Sequence, residues 1–511
     1  MRQLPGLLLV LLLWEGAARL LAGSFLLAGP VDVIFYIAHN APLLGRALAI
    51  TLGEAALGYV IGNAAAVLLA IAVILLPRME ALIGAVALLV FCLPLVATGP
   101  ILRVLWGPGI GPQVTLAALA VYYTTFVTLV VGLRAAPQSW FDLVDSYGRG
   151  PLTALVTVRL RAALPYLFAG LQIAAPAAFL GAMVGEFTGA ERGMGVLAIR
   201  AMRALDVDAT WALASLAAGV SILIYAALGA LGTRLFPDRP ALILSSGGAG
   251  GRGGLLPALG LGLASLVAMV ALWWGMMEGF GLNSFFAKRP DDVWAFLFAA
   301  PEAAVHRATL AAAFGETLRF TLPGYALGLT LGAGLAALFT LAPRFAGAAL
   351  PVAIALRAIP IVTTAPLIVL ALGRGAVGTV TIVAVMIFFP TLVACLQGMR
   401  QTPGQVLDVF DSYAAGRLSR LALAQIPAML PAFFAAARMA VPAAILAVTV
   451  AEWLATGTGL GNLMALTAST SDYGMLWSAT ALVTLTAGLG YAAVALIESV
   501  VLARMAPEQR R

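Results

Sequence analysis

Asp142, Asp145, Ser146 and Tyr147 form one short polar group, and the same four types return at the same spacing as Asp408, Asp411, Ser412 and Tyr413. Carboxylates, a hydroxyl and a phenol grouped in this way offer polar contacts to a soluble partner. Their flanks indicate how they are held. Pro137 and Pro403 can open a short helix, and Trp140, Phe141 and Val144 supply an apolar face at helical spacing. Gly148 and Gly416 supply a break, followed by Arg149 and Arg417, before Leu152 to Leu160 and Leu418 to Leu423 resume. The pattern predicts two short amphipathic helices at a membrane surface, present twice. Asp142 and Asp145 disfavour an anionic lipid leaflet, so docking of a protein fits them better than lipid anchoring.

Glu186 and Glu452 stand about 21 residues beyond Pro165 and Pro431, close to one crossing of roughly 30 Å. Each precedes a Gly-x-Gly turn, at Gly193 to Gly195 and Gly459 to Gly461. Helix capping or contact with that turn suits them better than general acid/base or proton-coupling chemistry. Pro94, Pro100, Pro360 and Pro366 interrupt apolar helices, and the carbonyls they free are tolerated only beside protein or a water-filled cavity. A pathway is therefore expected there. Arg357 lies about 18 Å at helical rise beyond Arg344, near mid-membrane, where an unpaired charge costs at least about 2.5 kcal/mol. Arg103 lies further out. The two arginines break the repeat described below, and either line a path for an anion or pair with carboxylates and backbone carbonyls.

Nucleotide binding by a phosphate loop is excluded. The single lysine, Lys288, precedes Arg289 and follows no glycine-rich run. Cys92 and Cys395 sit in apolar segments at non-equivalent places, so neither a disulfide framework nor a metal site is indicated.

The elements that carry these residues follow from composition. Of 511 residues, 62% are hydrophobic and 10% charged, against roughly 25% charged in a soluble domain, and the mean hydropathy is +1.03. The net charge of +7 therefore asks for a membrane explanation before a nucleic-acid one. Apolar segments long enough to span run from Leu4 to Leu21, Leu48 to Leu76, Leu82 to Leu105, Val114 to Leu133, Pro165 to Val184 and Trp211 to Leu231. A second set runs from Leu255 to Met277, Leu318 to Leu341, Phe345 to Leu372, Val377 to Leu396, Pro431 to Leu454 and Trp477 to Leu502. The first segment has the character of the seventh and is expected to be a retained helix rather than a cleaved signal. Arginines gather on one side if the N-terminus is cytoplasmic, which puts both termini inside; Arg192, Arg200 and Arg203 are the exception.

A fixed offset of 266 residues relates the two sets: Pro94 maps onto Pro360, Gly107 onto Gly373, Asp142 onto Asp408, Glu186 onto Glu452 and Trp211 onto Trp477. The matches are Pro, Gly, Asp, Tyr, Glu and Trp, whereas chance would favour Ala and Leu. An even number of spans per half makes this a parallel repeat. The expected fold is an all-α membrane protein of about twelve transmembrane helices in two tandem six-helix repeats, residues 1–232 and 255–511, joined by a cytoplasmic Gly/Pro-rich linker at 233–254.

At the Asp142 and Asp408 segments the sequence resembles the membrane permease of binding-protein-dependent ABC importers. Their EAA loop reads Glu-Ala-Ala, three residues, Gly, then Ile-x-Leu-Pro; here Asp142, Gly148 and Arg161, and again Asp408, Ala414 and Pro427, occupy the Glu, Gly and Pro places. Ile359-Pro360, Pro366-Leu367, Gly373-Arg374-Gly375 and Glu452 before Gly459-Leu460-Gly461 are similar to the nitrate/sulfonate/taurine branch, and the first half answers with Leu93-Pro94, Pro100, Gly107-Pro108-Gly109, Glu186 and Gly193-Met194-Gly195. Such permeases are commonly single domains that pair; here two are fused and partly diverged.

The resemblance implies that the loops at 142–149 and 408–417 are coupling helices seated in two copies of a separate ATP-binding subunit, which would hold ATP and Mg while this chain holds no cofactor. It also implies an extracytoplasmic substrate-binding protein, a bacterial inner-membrane location, and a small anion (sulfonate, taurine or nitrate-like) or a vitamin precursor as substrate. The rival expectation is a twelve-helix secondary transporter of the major-facilitator type. The loop between its second and third helices should be patterned, yet here it is only Pro77-Arg78-Met79-Glu80.

Overall fold

The computed structural model describes residues 4–21, 27–236, 255–342, 365, 368, 371–373 and 375–505, and every regular element among them is helical. The first half comprises α1 (Leu4–Leu20), α2 (Pro30–His39), α3 (Ala41–Leu75), α4 (Glu80–Phe91), α5 (Leu95–Trp106) and α6 (Gly111–Arg134). It continues with α7 (Gln138–Ser146), α8 (Pro151–Ala154), a π-helical turn (Leu155–Arg159), α9 (Leu160–Phe187), α10 (Met194–Arg203) and α11 (Val207–Leu235). The second half begins with α12 (Leu255–Gly279), α13 (Pro290–Trp294), a π turn (Ala295–Ala299) and α14 (Ala303–Leu341). There follow α15 (Ala376–Arg400), α16 (Gly404–Ser412), α17 (Arg417–Arg420), a π turn (Leu421–Gln425), α18 (Ile426–Ala451), a π turn (Glu452–Thr456), α19 (Gly459–Ser469) and α20 (Tyr473–Met505).

Among the described residues, nine helices are long and apolar enough to cross a membrane, and shorter apolar helices accompany them. The chain is a multi-pass, all-α membrane protein. The third expected span of the first half is divided: α4 stops at Phe91, Cys92 to Pro94 is irregular, and α5 starts at Leu95. Pro94 disfavours helical geometry in the residue before it, whereas Pro100 is absorbed inside α5. The second-half counterpart falls largely outside the described residues, and with it Arg357, Pro360 and Pro366. Of the expected linker, 233–235 are the last residues of α11, and 237–254 lie outside the described residues.

Small residues let these helices approach closely, as packing in lipid favours. A Cβ on Gly324 of α14 would stand 2.6 Å from Val383 Cβ, and one on Gly328 2.8 Å from Ile387 Cβ, so α14 and α15 meet almost backbone to backbone. The repeat offset is visible in bonds as well. Tyr59 donates to Leu171 O at 2.9 Å and Tyr325 to Ala437 O at 2.8 Å; Asp206 caps α11 through Ala209 N and Asp472 caps α20 through Met475 N.

The halves interlock. α5 packs on α6 and α9 of its own half and on α18, α19 and α20 of the other, while α12 packs on α4. One core joins Ala174, Ala178 and Phe187 of α9 to Ala437, Ala440 and Val450 of α18. The two long helices end together, where Phe187 at the end of α9 meets Trp453 just past α18, and α7 and α16 precede them at the opposite ends, on the other face of the bundle.

Candidate functional site

On that face, α7 and α16 have no buried residue. Asp142, Asp145, Ser146, Tyr147, Gly148 and Arg149 are all exposed, as are Asp408, Asp411, Ser412, Tyr413, Gly416 and Arg417. Tyr147 is 74% and Tyr413 83% exposed, with Leu152 at 68% and Leu418 at 69% beside them. Apolar and aromatic side chains are thus held well out from the bundle at matched positions in the two halves. The inward residues are Phe141 and Val144, matched by Leu407 and Phe410, each half-buried. Trp140, expected on the inner face, points outward and is 50% exposed.

Each short helix is tied down differently. In the first half the Arg159 guanidinium lies 4.6 Å from the Phe141 ring and donates to Leu133 O at 3.1 Å. In the second half Arg420 pairs with Asp411 at 2.9 Å. Both helices end in the same closure: Arg149 N donates to Val144 O at 3.2 Å and Ala415 N to Phe410 O at 2.9 Å, wrapping a left-handed residue. That residue is Gly148 (φ 63°) in the first half and Ala414 (φ 50°) in the second. The break expected at Gly416 is thus at Ala414, because the spacing of the closure, rather than the availability of glycine, fixes the left-handed position. Gly416 has an ordinary φ of −64°.

The second short helix of each pair is not separate. α8 and α17 run through π turns into α9 and α18, giving continuous helices at Leu152–Phe187 (36 residues) and Arg417–Thr456 (40 residues). At about 1.5 Å per residue these are ~54 and ~60 Å long, against ~30 Å of hydrocarbon. Both are longer than a bilayer is thick and join the exposed surface to the opposite end.

At that opposite end, Glu186 and Glu452 are buried (1% and 0% exposed) beneath the Gly-x-Gly turns. Glu186 accepts from Gly195 N, Thr51 donates to Glu186, and Met194 N donates to Thr51 Oγ1 at 2.9 Å. The second half repeats the motif: Gly461 N donates to Glu452 Oε2 at 2.8 Å, Leu460 N to Thr317 Oγ1 at 2.9 Å, and Gly459 N to Glu316 Oε2 at 2.9 Å. The first N–H groups of α10 and α19, unsatisfied within their own helices, are thus latched onto α3 with α9 and onto α14 with α18. Capping is what the sequence led one to expect of Glu186 and Glu452. Thr51, Thr317, Glu54 and Glu316 were not singled out; the one signal was the Thr51 and Thr317 match at the repeat offset.

Beside the latches, Phe187 and Trp453 meet ring to ring between the halves. The Arg103 guanidinium packs against Gly189, two residues beyond Phe187, and Pro94 and Pro100 set the course of α5 that brings it there. The structure therefore gathers Arg103, Pro100 and Glu186 near one end. Arg357, Pro360 and Pro366 lie outside the described residues. Further along, the His306 ring stacks on Phe296 with centroids 3.8 Å apart.

Comparison with known proteins matches residues 62–238 and 328–507 to the family described as binding-protein-dependent transport system inner membrane component. The chain is 31% identical over 230 residues to a probable ABC transporter permease protein of Haemophilus influenzae, covering 44% of this chain and 93% of that protein. It is 29% identical over 233 residues to the formylaminopyrimidine transport permease protein ThiX of Halalkalibacterium halodurans, covering 45% and 93%. It is 27% identical over 138 residues to the putative aliphatic sulfonates transport permease protein SsuC of Escherichia coli, covering 27% and 49%. This chain therefore belongs to the binding-protein-dependent ABC importer permeases and carries two such domains in tandem, which displaces the major-facilitator alternative.

Proposed function

We propose that this protein is the complete membrane pathway of an ATP-driven importer. Its two fused halves replace the usual pair of permeases. In this reading the α7/α16 face is cytoplasmic, as are both termini, and docks two copies of an ATP-binding subunit that carry ATP and Mg. The latch end faces outward in a bacterial inner membrane and receives substrate from an extracytoplasmic binding protein. The observation that carries the reading is the pair of repeat-matched short helices without a buried residue, each followed closely by a helix longer than the bilayer is thick. Such a helix transmits a rigid displacement from the docked subunit to the opposite end.

The substrate is proposed to be a small anion of the sulfonate, taurine or nitrate kind, or a small vitamin precursor. Relatives named for formylaminopyrimidine, riboflavin and aliphatic sulfonates support this range. The aromatic pair at the axis with the Arg103 guanidinium close by suits a planar or anionic solute. The test is affinity purification of the tagged chain from its own cells. An ATPase at two copies per chain, with ATP-dependent uptake in reconstituted vesicles, is expected; substrate flux without any ATPase would overturn the assignment. The ligand of the co-isolated binding protein identifies the substrate.

A further inference from the structure

Lys288 is the single lysine of the chain, and the repeat folds without it. Its carbonyl accepts from Trp273 Nε1 at 3.0 Å, and Trp273 stacks on Trp477 with centroids 5.3 Å apart. In the first half Trp14 Nε1 donates to Ala28 O at 3.0 Å, and Trp14 lies against Trp211. The turns that follow also correspond: Arg289 N donates to Asp292 Oδ2 at 2.9 Å, and Gly29 N to Asp32 Oδ2 at 3.2 Å. The same backbone is thus built around Ala28, so the Lys288 side chain answers no structural need that the first half shares. Among the described residues nothing pairs with its ammonium, whereas Arg289 beside it is held by Glu278 at 2.7 Å.

Lys288 lines a cavity of about 370 Å³ whose walls include Asp292, Ala295, Phe296, Ala299 and Gly474. Ala295 stands where the first half has Phe35, and Gly474 where it has Asp208. A Cβ on Gly474 would come within 2.6 Å of the Phe296 ring, so glycine is what lets that ring lie against the start of α20. At these positions the first half has two carboxylates, Asp32 and Asp208, and no cation, while the second half has one carboxylate and one ammonium. Stacked tryptophans at the end of a spanning helix mark a membrane–water boundary. α12 exposes Leu263, Val267 and Trp274 along its length, and Phe285, Trp294 and Phe298 are exposed on the segments that form the cavity. From this placement we infer that the cavity holds the headgroup of a zwitterionic phospholipid. The phosphate meets the Lys288 ammonium, the lipid's own ammonium meets Asp292, and the carbons beyond lie over Ala295, Phe296 and the exposed aromatics. An ammonium is a point-charge partner for phosphate, and a cation and a carboxylate that share a cavity without pairing match a ligand bearing both charges. A purely anionic headgroup would set its charge against Asp292. The site uses none of the docking or latch residues and so goes beyond the importer assignment.

The test is native mass spectrometry of the full chain, stripped of lipid in detergent and then given phosphatidylethanolamine or phosphatidylglycerol with identical acyl chains. It needs neither ATP nor substrate, so its failure leaves the importer assignment untouched. The tightest lipid adduct is expected to be retained several-fold better with phosphatidylethanolamine. Lys288→Ala, which installs the first-half residue, is expected to weaken that adduct several-fold without moving the melting temperature. Asp292→Asn keeps an oxygen for Arg289 N and is expected to bring the two lipids level. Equal retention of the two lipids by the unaltered chain overturns the proposal, and that reading needs no variant to fold. Undiminished retention in Lys288→Ala, or a preference that survives Asp292→Asn, overturns it as well. Free phosphoethanolamine separates the lipid from a soluble source of the same chemistry. If it strips the adduct at concentrations close to those of the lipid, the occupant is a soluble zwitterion and the lipid assignment falls.

Discussion

Phe187 and Trp453 are repeat images of one another, 266 residues apart, and their rings meet edge to face with centroids 6.2 Å apart and planes at 72°. A residue that touches its own image lies beside the axis relating the two copies. The axis of this bundle is therefore closed at the latch end by an aromatic contact.

Trp453→Ala removes half of that closure. With the ATPase subunits bound and no binding protein added, the variant is expected to hydrolyse ATP several-fold faster than the unaltered complex, because the halves separate more readily. Steady-state phosphate release in nanodiscs checks this; an unchanged basal rate would show that the contact does not resist opening.

Ala414 holds a left-handed conformation that costs an L-residue roughly 1 kcal/mol relative to glycine. Ala414→Gly is expected to raise the thermal midpoint of the purified protein or leave it unchanged, and Gly148→Ala to lower it. Paired melting curves decide, and opposite signs would mean that the closures after α7 and α16 are not fixed as the structure has them.

Arg438 and Glu498 form an ion pair at 3.2 Å with side chains 8% and 15% exposed, beneath the Tyr491 ring at 5.7 Å. The first half carries Gln172 and Gly232 at those places. Removing one partner of a buried pair leaves a stranded charge and costs about 3–5 kcal/mol. Arg438→Met alone is therefore expected to melt far lower than Arg438→Met with Glu498→Leu, and equal melting of the two would argue that the pair is solvated.

Arg103→Gln tests the cation that packs on Gly189, two residues beyond Phe187. For an anionic substrate the half-saturating concentration of loaded binding protein is expected to rise several-fold with assembly unaffected, as judged by co-purified ATPase. Unchanged uptake kinetics would assign Arg103 a packing role against Gly189.

The repeat, the exposed loops and the proline break of α5 were legible in the sequence because Pro, Gly, Asp and Trp at a fixed offset stand out against Ala and Leu. The latch was not. Thr51 reaches Glu186 across 135 residues and Leu460 reaches Thr317 across 143, and no local pattern reports such contacts. Glu54 and Glu316 are also invisible to subtraction, since each faces an apolar residue in the other copy. α10 and α19 escaped because helices of 10 and 11 residues are too short for a membrane-span criterion. Ala414 was misread because glycine is the usual left-handed residue, and the nearest glycine was two positions away.

The π turns at Leu155–Arg159 and Leu421–Gln425 sit between each docking segment and its long helix at the same repeat position. A π turn carries roughly one residue more than an α turn, and one residue corresponds to about 100° of rotation around a helix. The bearing of α7 and α16 around the axes of the long helices is therefore encoded in a single surplus residue per arm. Deleting that residue would leave both helices intact and aim the arm at the wrong neighbour.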